Sequence, residues 1–290
     1  MFYHDTKLQY KVWVDKPNPL FARMLQQAIG GAEGKLRTGL QYLFQAWGWR
    51  GPAKYRDLLL DTGTEEMAHI EMLATAVALN LNEASDEMRE QMALHNPLAG
   101  TVMGGMDMRH ILSAGLSAMP TDANGLPFNG SWVVNSGNIA ADIYANLTAE
   151  STGRLLETRL WEMTDDEGMK DMLAFLIARD TMHQNQWLAV LEELGGPVKI
   201  HPVPNSFPQS RELTEFNYTF ISANIGGNDT QRGQRWTEGA SIDGKGQFTR
   251  TKAKPYGQEP DLGKPVPGTY VQNEQLGNRV NEFINDMRGE

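Results

Sequence analysis

What most limits the fold of this chain is the distribution of its helical periodicity, which falls into two closely linked pairs of long segments. The first segment follows Pro17-Asn18-Pro19 and is expected to run as one helix from Leu20 to Trp49, because Asn and Pro are start signals at an N-terminus. It stops at Gly51-Pro52. The second runs from Ala53 to Leu81, where Leu58, Leu59, Leu73, Ala76 and Val77 recur at three- and four-residue spacing. Residues 82–136 are different: Asn96-Pro97, Gly104-Gly105, Pro120, Gly125, Pro127 and Gly130 leave room only for short helices. The third long segment runs from Gly137 to Met163. A short turn at 164–168 leads into the fourth, which ends near Leu194 before Gly195-Gly196-Pro197. Thr164 and Glu167 have capping-box spacing at its entry.

Short links between the first and second helices and between the third and fourth make each pair an antiparallel hairpin. The connection of about 50 residues between the pairs is long enough to cross a bundle, as in ferritin-like folds. The expected architecture is therefore all-α: a ferritin-like four-helix bundle over 1–195, its crossover at 82–136, and an irregular C-terminal tail over 196–290. The tail is rich in Gly, Pro, Asn and Gln, and helical period returns only over 273–287. It has too few apolar residues for a core of its own, so it is expected to extend over a neighbouring subunit; the other reading is a disordered tail.

With 40% hydrophobic and 21% charged residues the chain is ordinary globular material. A formal net charge of -10 disfavours a nucleic-acid partner, which needs clustered Lys and Arg. There are no cysteines, so disulfides, thiolate nucleophiles and iron–sulfur clusters are excluded together. No apolar leader and no membrane span are read, and a cytoplasmic location is expected.

The chemistry lies in polar residues set on apolar stripes. On the second segment Glu66 and His69 stand at i and i+3, continuing the face of Thr62, Leu73 and Ala76. On the fourth, Asp180 and His183 repeat the spacing on the stripe Leu173, Leu176 or Ile177, Trp187 and Leu191. On the third, Glu150 lies on a stripe read as Ile143, Leu147, Glu150 and Arg154. Buried carboxylates are tolerated only with pairing or a metal. Acid-x-x-His on two helices with single acids on the others is the pattern of dimetal carboxylate bundles, and such oxygen-rich sites suit manganese, with iron as second choice.

At these residues the sequence resembles the manganese catalases. The similarity includes the opening Met1-Phe2 through Lys7-Leu8-Gln9-Tyr10, then Gly30-Gly31-Ala32-Glu33-Gly34, the run from Asp57 to Met72, Ser136-Gly137-Asn138, and Glu162 to Gly168. It is strong over 1–200 and weak over the tail. The resemblance implies two manganese ions held by Glu66 (bridging), His69, Glu150 and His183. It implies hydrogen peroxide as substrate, disproportionated to water and oxygen by two-electron cycling, and a homo-oligomer, usually a hexamer.

Three positions depart from the family pattern. Lys35 stands where a ligand Glu from the first helix is expected, and an ammonium is no metal ligand. Glu33 could compensate only through a local bulge at Gly30, Gly31 and Gly34. The stripe Ala28, Ala32, Lys35, Gly39, Tyr42, Ala46 instead points Lys35 and Tyr42 toward the site. Ala149 stands where some members carry Arg. Asp180 stands where some carry Glu, and, one methylene shorter, is expected to act through water. The catalytic candidates are thus Asp180, Lys35 and Tyr42. A structural calcium at Asp57 and Asp61, with oxygen donors from Ser222, Asn224 or Asn228, is a further expectation. The competing function is a catalase-like bundle in a structural, coat-like role with weak or no turnover; an iron-storing bundle is a third.

Overall fold

The computed structural model describes residues 5–82, 109, 113–196, 207, 211–213, 215–224, 230–261 and 286–287. They fall into two units, 1–212 and 213–290. The first contains five described α-helices: α1 (Pro19–Gly30), α2 (Lys35–Gly48), α3 (Ala53–Leu81), α4 (Ile139–Glu162) and α5 (Glu167–Glu193). α2 packs on α3 and α4 on α5, so the two linked pairs of the sequence are the two hairpins of the bundle, while α1 lies against α3.

The helix starts follow local chemistry. Asn18 accepts from the Phe21 amide at 3.1 Å with Pro19 at the first helical position, and Asn138 accepts from Ala141 at 3.1 Å. The expected capping box at Thr164 and Glu167 does not form. Asp166 caps α5 instead, accepting from Met169 at 3.0 Å, while Thr164 Oγ1 accepts from the Asp166 amide. A carboxylate meets the orphan amides and the positive helix end better than a hydroxyl.

The single helix expected over 20–49 is two helices. α1 ends on Gly31 and α2 begins at Lys35 after an extended Gly34. The break answers a packing demand: a Cβ at Gly30 would lie 2.4 Å from the Thr121 carbonyl oxygen, so only glycine lets the 119–123 segment cross here. The crossing is fastened by Gln26, whose side chain donates to the Met119 and Thr121 carbonyls and accepts from the Met119 amide.

Two apolar cores lie along the bundle. One gathers Phe21, Leu25, Met72, Leu73, Val77, Leu160, Met169, Leu173 and Leu176; the other gathers Tyr42, Leu59, Ile143, Trp187, Val190 and Leu191. Each fully buried aliphatic side chain contributes about 1.5–3 kcal/mol. Between the two cores α3, α4 and α5 carry polar residues at their buried positions: Glu66 and His69, Glu150 and Glu157, Asp180 and His183. A polar layer thus divides the hydrophobic interior.

The second unit contains a three-stranded sheet in the order β1 (Thr219–Ser222), β3 (Gln247–Lys252), β2 (Gly239–Ala240). β1 pairs with β3 in parallel, Thr219 opposite Thr249, and β2 pairs antiparallel to β3. The tail expected to be irregular therefore contains ordered pairing. Of the short helices expected within 82–136, a single 3-10 turn at Gly130–Trp132 falls in the described part; residues 83–108 and 110–112, and most of the helix expected over 273–287, lie outside the described residues.

Candidate metal centre

α3 presents Glu66 and His69 to the interior one turn apart, and both are fully buried. The two oxygens of Glu66 face different groups. Oε2 lies 3.4 Å from His69 Nδ1 and 3.3 Å from Lys35 Nζ; Oε1 lies 2.9 Å from His183 Nδ1. His183 Nδ1 is also 3.4 Å from Glu150 Oε1. The two imidazoles stack 5.8 Å apart at 25° between ring planes. Glu66, Glu150, Asp180 and His183 each offer a ligand atom within 4.8 Å of the others, the one group of this kind among the described residues. His69 stands beside it, on the far oxygen of Glu66.

Close approach of α2 to α3 is what brings Lys35 and Tyr42 in. Gly39 faces the Glu66 Cβ, which an added Cβ would meet at 3.1 Å, so a side chain here would push the helices apart. Tyr42 donates a short hydrogen bond to Glu150 Oε1. Its ring lies against Trp187, centroids 5.1 Å apart. Lys35, at the first position of α2, stands where the helix dipole disfavours a cation. Three carboxylates outweigh this: Nζ pairs closely with Asp180 and lies 3.3 Å from both Glu66 and Glu157. Glu33 takes no part; its carboxylate accepts from Gln27 in the turn between α1 and α2.

Two acids beside this group, Glu65 and Glu157, were missed by sequence reasoning. Glu65 reaches across to His183 Nε2 at 2.9 Å and is itself gripped by Arg179 at 2.6 Å and Gln9 at 2.8 Å. Glu157 is buried two turns from Glu150 on α4. The buried stripe of α4 runs Ile143, Asn146, Glu150, Gly153, Glu157, Leu160, not through Leu147 and Arg154, and Arg154 is exposed. Seven-residue spacing from Glu150 was the available signal.

The electrostatics record an excess of acid. Burial and the charge of Asp180 push the Glu157 carboxyl well above the usual range, and burial likewise raises Glu150 and Asp180. Burial works to lower Lys35, but Asp180, Glu157 and Glu66 outweigh it and hold its ammonium well above the lysine range. Burial also opposes charge on His183, yet the carboxylates of Glu150, Glu65 and Glu66 push it up to about 11. Both oxygens of Glu66, both ring nitrogens of His69, Glu150 Oε2, both oxygens of Glu157, Asp180 Oδ2 and His183 Nδ1 are buried with no hydrogen-bond partner. Such a concentration is costly unless cations complete it. Hard oxygens with two imidazoles are the donor set that Mn(II) accepts, so these residues fit the metal.

Asp57 and Asp61 are not drawn into a comparable cluster. Asp57 accepts from Arg56 at 2.8 Å, Asp61 is exposed, and Asn228 lies outside the described residues. Among the described residues no helix is long and apolar enough to cross a membrane.

Residues 1–283 match the family described as manganese containing catalase. A manganese catalase from Bacillus subtilis (strain 168) is 46% identical over 276 residues, 94% of this chain and 98% of its own length. A manganese catalase from Lactiplantibacillus plantarum is 42% identical over 226 residues, 78% of this chain and 84% of its own. The crystal structure of KatB, a manganese catalase from Anabaena, superposes with a TM-score of 0.66 at 21% identity, covering 88% of this chain and all of that one, which supports the fold. A mostly helical bundle with a buried carboxylate and histidine group is the class this defines. The chain belongs to the manganese-containing catalase family.

Proposed function

We propose that this protein disproportionates hydrogen peroxide, with a manganese pair held by Glu66, His69, Glu150 and His183. The observation that carries this reading is the division of Glu66: one oxygen faces His69 and Lys35, the other faces His183, and no hydrogen bond satisfies either. A carboxylate so placed offers one oxygen toward each imidazole, the arrangement a bridging ligand would need. The bound metal supplies reversible two-electron redox: one peroxide takes two electrons and two protons to give two waters, and a second returns them and leaves as oxygen.

The chain's own residues prepare that chemistry. Glu65 accepts from His183 Nε2, which orients the ring so that Nδ1 faces Glu66 and Glu150, where a bound cation would displace its proton. Tyr42 holds Glu150 by one oxygen, leaving Oε2 without a partner. Asp180 Oδ1 is engaged by Lys35 while Oδ2 is unpartnered, so Oδ2 is the base positioned to take a proton from peroxide and return it. The raised Asp180 carboxyl suits both directions of that transfer. Trp187, Tyr42, Met172 and Leu176 close the apolar walls above and below the layer and exclude bulk water.

A second reading has one observation in its favour: the Lys35 ammonium lies against Glu66, where a cation would bind. On that reading the bundle is retained for a structural role with little turnover. Oxygen evolution by haem-free purified protein, measured beside its manganese content, separates the two. Turnover proportional to manganese supports the catalase; manganese without turnover supports the structural role. A hexamer in the cytoplasm belongs to the same proposal, and its size is read by sedimentation.

A further inference from the structure

The bundle interior holds more buried carboxylates than the four expected donors account for. Glu66, Glu150, Glu157 and Asp180 are all essentially inaccessible, and Lys35 is the buried ammonium among them. Glu65 is matched separately by Arg179. Glu157 is the unexplained member. It sits two turns from Glu150 on the same face of α4, its Oε1 is 3.3 Å from Lys35 Nζ, and neither of its oxygens has a hydrogen-bond partner. Lys35 already has a hydrogen-bonded carboxylate in Asp180, so ion pairing alone does not call for a second fully buried acid.

The Lys35 nitrogen marks a point in the interior where Glu66, Glu157 and Asp180 converge on one positive charge. It lies on the oxygen of Glu66 that also faces His69. This is the side of the site whose carboxylate from the first helical segment is missing at position 35.

Resting on the catalase reading, we propose that Glu157 is a metal ligand: it supplies from α4 the carboxylate that position 35 does not, on the His69 side of Glu66, while Lys35 remains paired with Asp180. The flexible stem of a lysine allows its ammonium to stay with Asp180 when a divalent ion takes the space between Glu66 and Glu157. Manganese on each side of Glu66 then neutralises the carboxylates that a single ammonium leaves unmatched.

The test is manganese stoichiometry and affinity, by calorimetric titration with Mn(II) and elemental analysis of the purified full chain. The unmodified protein is expected to hold two ions per chain. Glu157→Gln, which keeps the shape and removes the charge, is expected to weaken one of them by about 100-fold or more and leave the other in place. Glu157→Asp serves if the Gln variant does not fold: it retains the charge for Lys35 but withdraws the oxygens, and the same ion is lost. The exchange Lys35→Glu with Glu157→Lys returns the carboxylate to α2 and is expected to keep two. Two ions of unchanged affinity in Glu157→Gln, or in Glu157→Asp, would overturn the proposal and leave Glu157 as a partner of Lys35. One ion per chain in the unmodified protein would also overturn it, with Lys35 standing in for the second cation. No manganese at all would sink the catalase reading along with it.

Discussion

Two buried polar layers cross this bundle about a turn apart, and they are built on opposite terms. In one, Gln41 and Gln45 of α2 meet Asn146 of α4: Gln41 and Gln45 donate to Asn146 Oδ1 at 2.8 and 3.0 Å, and Asn146 donates to Gln45 at 2.8 Å. The remaining capacity goes to the backbone of Val134, whose amide donates to Gln41 and whose carbonyl accepts from Gln45. This layer is neutral and complete. The other, through Glu66, His69, Glu150, Glu157, Asp180 and His183, is charged and leaves atom after atom unpartnered. Both draw on α4 and both are buried, so burial alone does not explain the difference. A protein that can satisfy amides this thoroughly leaves carboxylates open where something other than protein completes them.

Substitutions should therefore act on different quantities in the two layers. The largest effect is expected from Glu66→Gln, which removes the charge between the two imidazoles; metal affinity should fall by more than the roughly 100-fold that loss of an outer partner costs, and oxygen evolution with it. The isosteric amide keeps the packing, so a thermal melt of the metal-free protein should move little or upward. Next is Glu65→Gln. It frees His183 and Arg179, and manganese affinity should fall about 10–100-fold with the helical content intact. Asn146→Leu inverts the pattern: it strands Gln41 and Gln45 and should cost about 1–3 kcal/mol per stranded group in a denaturant melt, with manganese content unchanged. Tyr42→Phe is the smallest. It strands a single buried oxygen, so it should cost about 1–3 kcal/mol of stability, against two stranded groups for Asn146→Leu, and it should also lower turnover through the freed Glu150 oxygen.

The sequence exposed one part of the site more clearly than the rest for a physical reason. On α3 and α5 the polar residues replace apolar ones at positions fixed by strong neighbours, so Leu73 and Ala76 locate Glu66 and His69, and Leu173, Trp187 and Leu191 locate Asp180 and His183. α4 offers weaker neighbours. Its buried face includes Asn146, Gly153 and two acids, and the partly exposed Leu147 drew the stripe toward Arg154, hiding Glu157. Glu65 was hidden differently: next to Glu66 it lies about 100° around the helix, where an acid ordinarily meets solvent, and only the arrival of His183 and Arg179 from α5 gives it a role. The break between α1 and α2 depends on a distant segment, Thr121, crossing Gly30, which periodicity does not report. The sheet of the second unit was missed because its strands are only two to six residues long. Such strands carry too little alternation to stand out among Gly and Thr.

The resemblance named Glu66, His69, Glu150 and His183 as donors, and the fold brings Glu66, Glu150 and His183 together with Asp180, with His69 alongside. They also show what stands against Lys35, which the sequence could only mark as a departure.

Anomalous scattering at the manganese edge, from crystals grown with Mn(II), tests the open layer most directly. Two peaks in the bundle interior, one on the His69 side of Glu66 and one on the His183 side, with none near Asn146, are the expected result. A bundle interior without manganese, its carboxylates closed on one another or on Lys35, would contradict it.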